Sequence, residues 1–494
     1  MSDRGLAVRP GEPVARAALP VLEPRAWRDA IVADVAAGGR LLALFGAGEA
    51  AAPTLHAIHQ DRAGQLRWSL APVRGSWPSL TSECPQAHLF EREIWEASGA
   101  VPEGHPWLKP VRRAPGTAAS DGAPPFFAVA GDDVHEVAVG PVHAGVIEPG
   151  HFRFQCHGEA VFHLEIALGY QHRGVEALLA QGPDRRTLHV VETLAGDTTL
   201  GHATTACEAL EALLGVSVPP RGHALRALGL ELERLANHVG DLGALANDVG
   251  FLPTAAYCGR LRGDFLNLTA ALCGNRFGRS LVRVGGTGFD VDPERAAAMR
   301  DRLAAAARDV RDAVALLFGA PIVRARFEGT GVVTAPAALD LGLVGMAARA
   351  CGLPRDVRHE FPPLAYRAGR PPLVVLEGGD VMARARLRAE EIERSVGFVD
   401  GLLAALPAGP ARAAAAWPAP LAPGHAVFGL GEGWRGELVH VLLTDAAGRI
   451  ERWKVVDPSF HNWSALAMAL RGEEISDFPL CNKSFNLSYC GFDL

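Results

Sequence analysis

The sequence predicts an α+β chain in two units. A small α/β unit covers residues 26–113, and a mainly helical unit, entered through a β-hairpin, covers 134–494. Three observations carry this reading. Short apolar runs bounded by turn residues, "GRLLALFGAG" and "QLRWSLAPV", read as strands beside one short helix, "EREIWEASG". A Pro/Ala/Gly-rich stretch at 114–133 reads as an interdomain linker. Beyond it, apolar residues recur at helical spacing over long segments.

Taken in order, the second unit opens on "EVAVGPVHAGVIEPGHFRFQCHG" and "AVFHLEIALGY", short alternating runs broken by Gly and Pro, as in a hairpin. A helix is predicted over 192–215. Over 221–250, Leu225, Leu228, Leu232, Leu235, Val239 and Leu242 form one buried stripe. The next helix starts at Asp292 as N-cap with Pro293 at the first helical position. Another spans "DVMARARLRAEEIERSVGFVDGLLAAL". An Ala/Pro stretch follows, and then "ELVHVLLTDAAGRIERWKVV" alternates as a hairpin with its turn at 445–448.

Composition bounds the function. The 494 residues are half apolar and a fifth charged, with a formal charge of −7 and both signs interspersed, so no basic stripe offers itself to nucleic acid. No uninterrupted apolar run reaches the length of a membrane-spanning helix, and the N-terminal residues lack the apolar core of a signal peptide. The expected location is therefore cytoplasmic, with membrane association only through partners. The eight cysteines form no C-x-x-C pair, and each reads as a small buried apolar residue. The chain has no evident means of holding its own iron–sulfur cluster.

Several stretches share one resemblance. "SWPSLTSECPQAHLFEREIWEASGAVPEGHPWLKPVR" resembles the 30-kDa-type (C) subunit of respiratory complex I. "GPVHAGVIEPGHFRF", "LGYQHRGVEALL", "LELERLANHVGDLGALANDVGF" and "RGELVHVLLTDAAGRIERWKVVDPSFHNW" resemble its 49-kDa-type (D) subunit and, equally, the large subunit of energy-converting [NiFe] hydrogenases. The two in one chain resemble most the large subunit of formate hydrogenlyase and hydrogenase-4-type complexes. The resemblance implies a 30-kDa-like α/β domain followed by a hydrogenase-large-subunit-like helical domain. It also implies a [4Fe–4S] small subunit and antiporter-like membrane subunits as partners, with NAD(H) reached only through other subunits.

The hydrogenases of this family hold nickel and iron between two C-x-x-C pairs. The first lies in a pattern like E-R-x-C-G-x-C-x-x-A-H, and here the cysteine positions fall on Ala195 and Thr198. The second, in a pattern like D-P-C-x-x-C, falls on Ser488 and Gly491, with Cys490 one residue short. Thiolates are what bind nickel in such a site, and none of the four positions carries one. The resemblance therefore implies a metal-free relative.

Complex I uses the same space for a quinone headgroup. Its hairpin His corresponds to His143 here, while its Tyr position corresponds to Thr193, a departure from that pattern. The vacated space is expected to be a wet pocket lined by Thr193, Ala195, Asp197, Thr198 and Ser488, with His143 reaching in. Asp197 and His202 are candidate proton carriers, about 140° apart on the predicted helix. A helix-start carboxylate and a satisfied core imidazole are their plain structural alternatives. Arg173 in "HRG" matches a family position near the partner's cluster, and a surface ion pair is its alternative. Glu233 and Asp241 are explained nearly as well by a solvated helix face. His461 and Trp463 match a family motif expected to pack against the pocket.

Two functions compete on this reading. In the first, a quinone-type acceptor in the old metal space is reduced by a partner's cluster. In the second, the chain is a non-catalytic scaffold coupling the iron–sulfur subunit to ion-translocating membrane subunits, peripheral on the inner face of the membrane.

Overall fold

The computed structural model describes residues 4–112, 126–143, 147–180 and 182–494. It is a mixed α/β protein. The first sheet is antiparallel, in the order Leu6–Ala7, Leu66–Pro72, Thr54–Gln60, Arg40–Ala47. Arg40–Ala47 is buried along almost its whole length, because helix His88–Ser98 packs against it and hides the apolar run "LLALF". Helix Pro24–Ala36 lies on the same sheet, begun by Glu23, whose carboxylate accepts the Arg25 and Ala26 backbone N–H groups.

The predicted entrance hairpin exists as His151–His157 paired with Ala160–Ala167, and Val134–Val139 adds a third strand. Of the predicted linker, residues 114–125 lie outside the described residues. A second four-stranded sheet runs Ile450–Val456, Glu437–Thr444, His425–Glu432, Val14–Ala15. Residues 6–15, which the sequence leaves outside both units, thus join a sheet in each. Glu437–Thr444 is buried at every position, with helix Thr199–Leu214 packed on it.

The helices follow the sequence signals closely. Pro220–Asp248 carries the predicted leucine stripe, Pro293–Gly319 starts where Asp292 caps the Arg295 N–H, and Val381–Ala404 starts where Asp380 caps Ala383. One helix begins later than predicted. The segment 192–198 is a run of turns, and the regular helix is Thr199–Leu214. Thr198 sits at φ −126°, ψ 36°, outside helical space, and its side chain caps nothing. The first free N–H groups are taken instead by Glu233 from the neighbouring helix, whose carboxylate accepts Leu200 N at 2.7 Å and Gly201 N at 3.1 Å.

Helix Pro220–Asp248 is buried on its polar side as well. Glu233 and Asp241, for which the sequence makes a solvated face nearly as good an explanation, are only 9% and 4% exposed, because Val381–Ala404 and Leu252–Cys273 pack on either side. An ionic cluster fills the space between the first two of these helices and the second sheet. Arg349 donates to Glu391 Oε1 at 2.6 Å and Glu432 Oε1 at 2.9 Å, and Arg358 donates to Asp356 and Glu231 at 2.7 and 3.0 Å. His238 Nε2 meets Glu391 Oε2 at 2.7 Å, and Tyr366 and Ser395 hydroxyls donate to Glu231 at 2.6 Å. Burial alone would raise Glu391, yet the facing guanidiniums hold it well below the usual carboxylate range.

Candidate functional site

The two segments expected to flank a metal lie side by side, and a guanidinium joins them. Arg435 stands in the turn between His425–Glu432 and Glu437–Thr444, 4% exposed. It donates to both Asp197 oxygens at 2.7 and 2.8 Å, to Thr198 Oγ1 at 3.3 Å, and to the Asn486 carbonyl. Trp434 adds an indole N–H to the Asp197 carbonyl at 2.8 Å, and its ring lies 3.9 Å from the Arg435 guanidinium carbon. Burial alone would raise the Asp197 carboxyl, but Arg435 beside it holds it below the usual range. An ionised bidentate pair is the result.

The four positions that correspond to metal ligands do not fit a metal. Ala195 and Thr198 are fully buried, and Ser488 is 4% exposed. Ser488 Oγ is occupied by the Gly491 N–H at 2.9 Å and stands 3.4 Å from Cys490 Sγ. A Cβ on Gly491 would fall 2.7 Å from Asp457 Cγ, so a thiol-bearing side chain has no room there unless Asp457 moves. None of the four offers a thiolate, and a fixed cation lies among them.

Of the predicted pocket lining, Ala195, Thr198 and Ser488 are buried, while Asp197 lines an open cavity with its side chain 33% exposed. Thr193 turns its hydroxyl back to the Val190 carbonyl, and its own carbonyl, with that of Leu194, accepts from exposed Arg173 at 2.9 and 3.2 Å. His143 is engaged with the Gly150 carbonyl at 2.9 Å. Ala195→Leu therefore overpacks a closed site. It is expected to cost about 1–3 kcal/mol in urea unfolding.

His202 points inward, not towards solvent. Its Nδ1 lies 3.0 Å from His440 Nε2, its Nε2 lies 3.1 Å from Asp457 Oδ2, and His440 Nδ1 accepts the Trp453 indole N–H at 3.0 Å. An indole nitrogen only donates, so neutral His440 carries its proton on Nε2 and gives it to His202 Nδ1. His202 in turn donates to Asp457. Burial holds His440 well below the usual imidazole range. The "DPSFHNW" motif supplies Asp457 as cap of helix Pro458–Ala469, while Trp463 donates to the Ser488 carbonyl at 3.3 Å.

The open space that does exist is a cavity of about 790 Å³ on the other side of Asp197. Asp197, Asn237, Asp241, Asp248, Lys483 and Asn486 line it with the small residues Gly240, Ala244, Ala255 and Gly259. Asn237 donates to the Asp197 carbonyl at 3.0 Å, and Asp241 is fixed by Arg388 at 2.7 Å and by the Asn486 amide at 2.5 Å. Asp248 closes the last turn of Pro220–Asp248 with Oδ2 buried and without a hydrogen-bond partner among the described residues, and burial pushes it up to about 6, against Lys483. A narrow recess shares Asp197, Asn237 and Arg262 with this cavity and ends at Glu233, which burial pushes up to about 8. Sequence reasoning missed Arg435, Asn237, Asp248 and Lys483. The one available signal was an arginine in "GWRGE", between two predominantly apolar runs, "AVFGL" and "LVHVLL".

The chain is similar over most of its length to known proteins. The sequence profile described as "Respiratory-chain NADH dehydrogenase, 49 Kd subunit" matches residues 248–422 and 418–493, and that of the 30 Kd subunit matches 51–124. The "Carbon monoxide-induced hydrogenase" of Rhodospirillum rubrum is 32% identical over 353 residues, 71% of this chain and 97% of the relative. "Formate hydrogenlyase subunit 5" of Escherichia coli K12 is 29% identical over 92% of this chain and 84% of its own length. Among solved structures, a chain of an archaeal membrane-bound sulfane sulfur reductase, a respiratory membrane complex, superposes with a TM-score of 0.68. It is 24% identical, and the match covers 73% of this chain and 99% of that one.

Proposed function

Because the chain belongs to the family of the respiratory-chain NADH dehydrogenase 49-kDa subunit and its hydrogenase relatives, we propose that it is the metal-free large subunit of a membrane-associated oxidoreductase complex. In this reading a [4Fe–4S] partner subunit docks beside Arg173 and delivers electrons. A small quinone-type acceptor receives them in the cavity bounded by Asp197, Asn237 and Asp241. Antiporter-like membrane subunits complete the complex, and NAD(H), where used, is bound by other subunits. Among the described residues no helix is long and apolar enough to cross a membrane, so attachment falls to those partners.

One observation supports this reading above the others. Arg435 and Asp197 bridge the metal-ligand positions, while the same Asp197 carboxylate faces a polar cavity of about 790 Å³. Reduction of a quinone-type headgroup takes two electrons and two protons. The electrons come from the partner's cluster. Asp248, which lines the cavity and is pushed up to about 6 by burial, gives one proton, the second enters from bulk solvent through the open cavity, and ionised Asp197 and the Asn237 amide orient the headgroup.

The scaffold reading rests on a separate observation, the burial of Ala195, Thr198 and Ser488 where chemistry once belonged. Turnover of the isolated complex separates the two. The expected result is reduction of a water-soluble quinone analogue, with no stoichiometric nickel and no hydrogen evolution. Full assembly without any quinone reduction would favour the scaffold. About one nickel per chain would overturn both.

A further inference from the structure

A second, smaller cavity lies against helix Thr199–Leu214. Its volume is about 10 Å³, and it is lined by Gly201, Thr204, Thr205, Glu208, Tyr366 and Glu432, among others. Two polar atoms in this wall, Glu208 Oε1 and Thr204 Oγ1, are buried and have no hydrogen-bond partner among the described residues. They stand four residues apart, on one face of one helix. A buried polar group left unsatisfied is destabilising, so two lining a common void call for an explanation.

We propose that Glu208 and Thr204 bind one internal water and that the Glu208 carboxyl, with this water, is a proton-storage site inside the subunit. The volume matches roughly one water, which needs about 10–15 Å³ of probe space and two to four polar partners. Glu208 Oε1 and Thr204 Oγ1 supply two. Thr205, whose hydroxyl donates to the Gly201 carbonyl at 2.9 Å, keeps a lone pair for a third.

The surroundings suit storage of a proton. Arg226 is the cation facing Glu208 from the neighbouring helix, but Glu211 already engages it in two hydrogen bonds. Burial, the largest influence, and Glu211 from the same helix favour the neutral acid and push Glu208 up to about 7 against Arg226 and the Ala365 and Leu364 backbone N–H groups. Glu432 and Tyr366 complete the wall, each committed elsewhere: Glu432 accepts Arg349 and the Val357 N–H, and Tyr366 donates to Glu231. Glu208 alone has a spare oxygen towards the water. Release is simple in its balance: the carboxylic acid loses one proton, which passes through the water to bulk solvent and leaves the water neutral and Glu208 a carboxylate, and uptake reverses this. The helix residue Gly201 links the site to the acceptor cavity, for it lines this void and its N–H binds Glu233, which ends the recess beside Asp197.

The inference is independent of the acceptor, so it is tested on the full chain without turnover. Infrared difference spectra between acid and alkaline pH should contain a protonated-carboxyl carbonyl band that titrates near pH 7 and is lost in Glu208→Gln. In Thr204→Val the band should persist at a shifted frequency, because the water loses one anchor. A carboxyl whose folded value lies above its unfolded one stabilises the fold below its unfolded value, and this contribution is lost as pH rises through the folded one. Wild-type stability should therefore fall relative to Glu208→Gln between about pH 4.5 and 7. A wild-type spectrum unchanged by Glu208→Gln would overturn the proposal, as would a Thr204→Val band at the wild-type frequency.

Discussion

Glu391→Leu is expected to unfold the protein or bring it to the edge of unfolding at room temperature. Glu391 accepts from Arg349 Nη2 at 2.6 Å, His238 Nε2 at 2.7 Å and Arg358 Nη2 at 3.2 Å, and Arg234 lies 3.7 Å away. All of these groups are buried. Removing one partner of a buried pair costs about 3–5 kcal/mol, because the remaining charge stays in low dielectric without compensation. Here three guanidiniums lose a shared anion at once, so the loss should reach the upper part of that range. A typical domain is stable by only about 5–15 kcal/mol. Urea unfolding followed by circular dichroism reads it directly. A midpoint within experimental error of wild type would mean that solvent already reaches this cluster. Glu391→Gln keeps one acceptor oxygen, turns the other into an N–H donor and loses the charge, and should fall between the two.

Gly259→Trp is expected to leave the subunit folded and stop the chemistry. Gly259 lies in helix Leu252–Cys273 on the wall of the 790 Å³ cavity. A Cβ built there meets nothing within 4 Å, so the indole grows into open space instead of packed core. Replacing a mid-helix glycine also removes a backbone-entropy penalty of up to about 1 kcal/mol. Reduction of a quinone analogue by the assembled complex should fall by about tenfold or more, equivalent to at least about 1.4 kcal/mol. Wild-type turnover with normal assembly would place the acceptor elsewhere. Failure of the complex to assemble would show that this face receives a partner polypeptide, which favours the scaffold reading.

What could be read from the sequence divides along a physical line. Local signals were legible. Asp292 and Asp380 start their helices, the leucine stripe of Pro220–Asp248 is buried, and the hairpin turn at 445–448 joins two paired strands. These depend on residues a few positions apart. The site depends on residues far apart in sequence. Arg435 and Asp197 are 238 positions apart, and nothing near either announces the other. A short apolar-and-threonine run after Glu192 reads as continuous helix by propensity, whereas the actual start at Thr199 is set by Glu233, a residue on another helix. Glu233 and Asp241 look solvated on a helical wheel, because a wheel does not reveal that neighbours cover both sides. The absence of ligand cysteines was visible. That an arginine–aspartate pair would occupy their midst was not.

The account turns on where an acceptor sits, and electron cryomicroscopy of the assembled complex with a quinone headgroup analogue tests that most directly. The expected result is ligand density in the cavity against Asp197, Asn237 and Asp241, with the Arg435–Asp197 pair intact behind it. Metal density between Thr198 and Ser488, with Arg435 swung away, would contradict the account.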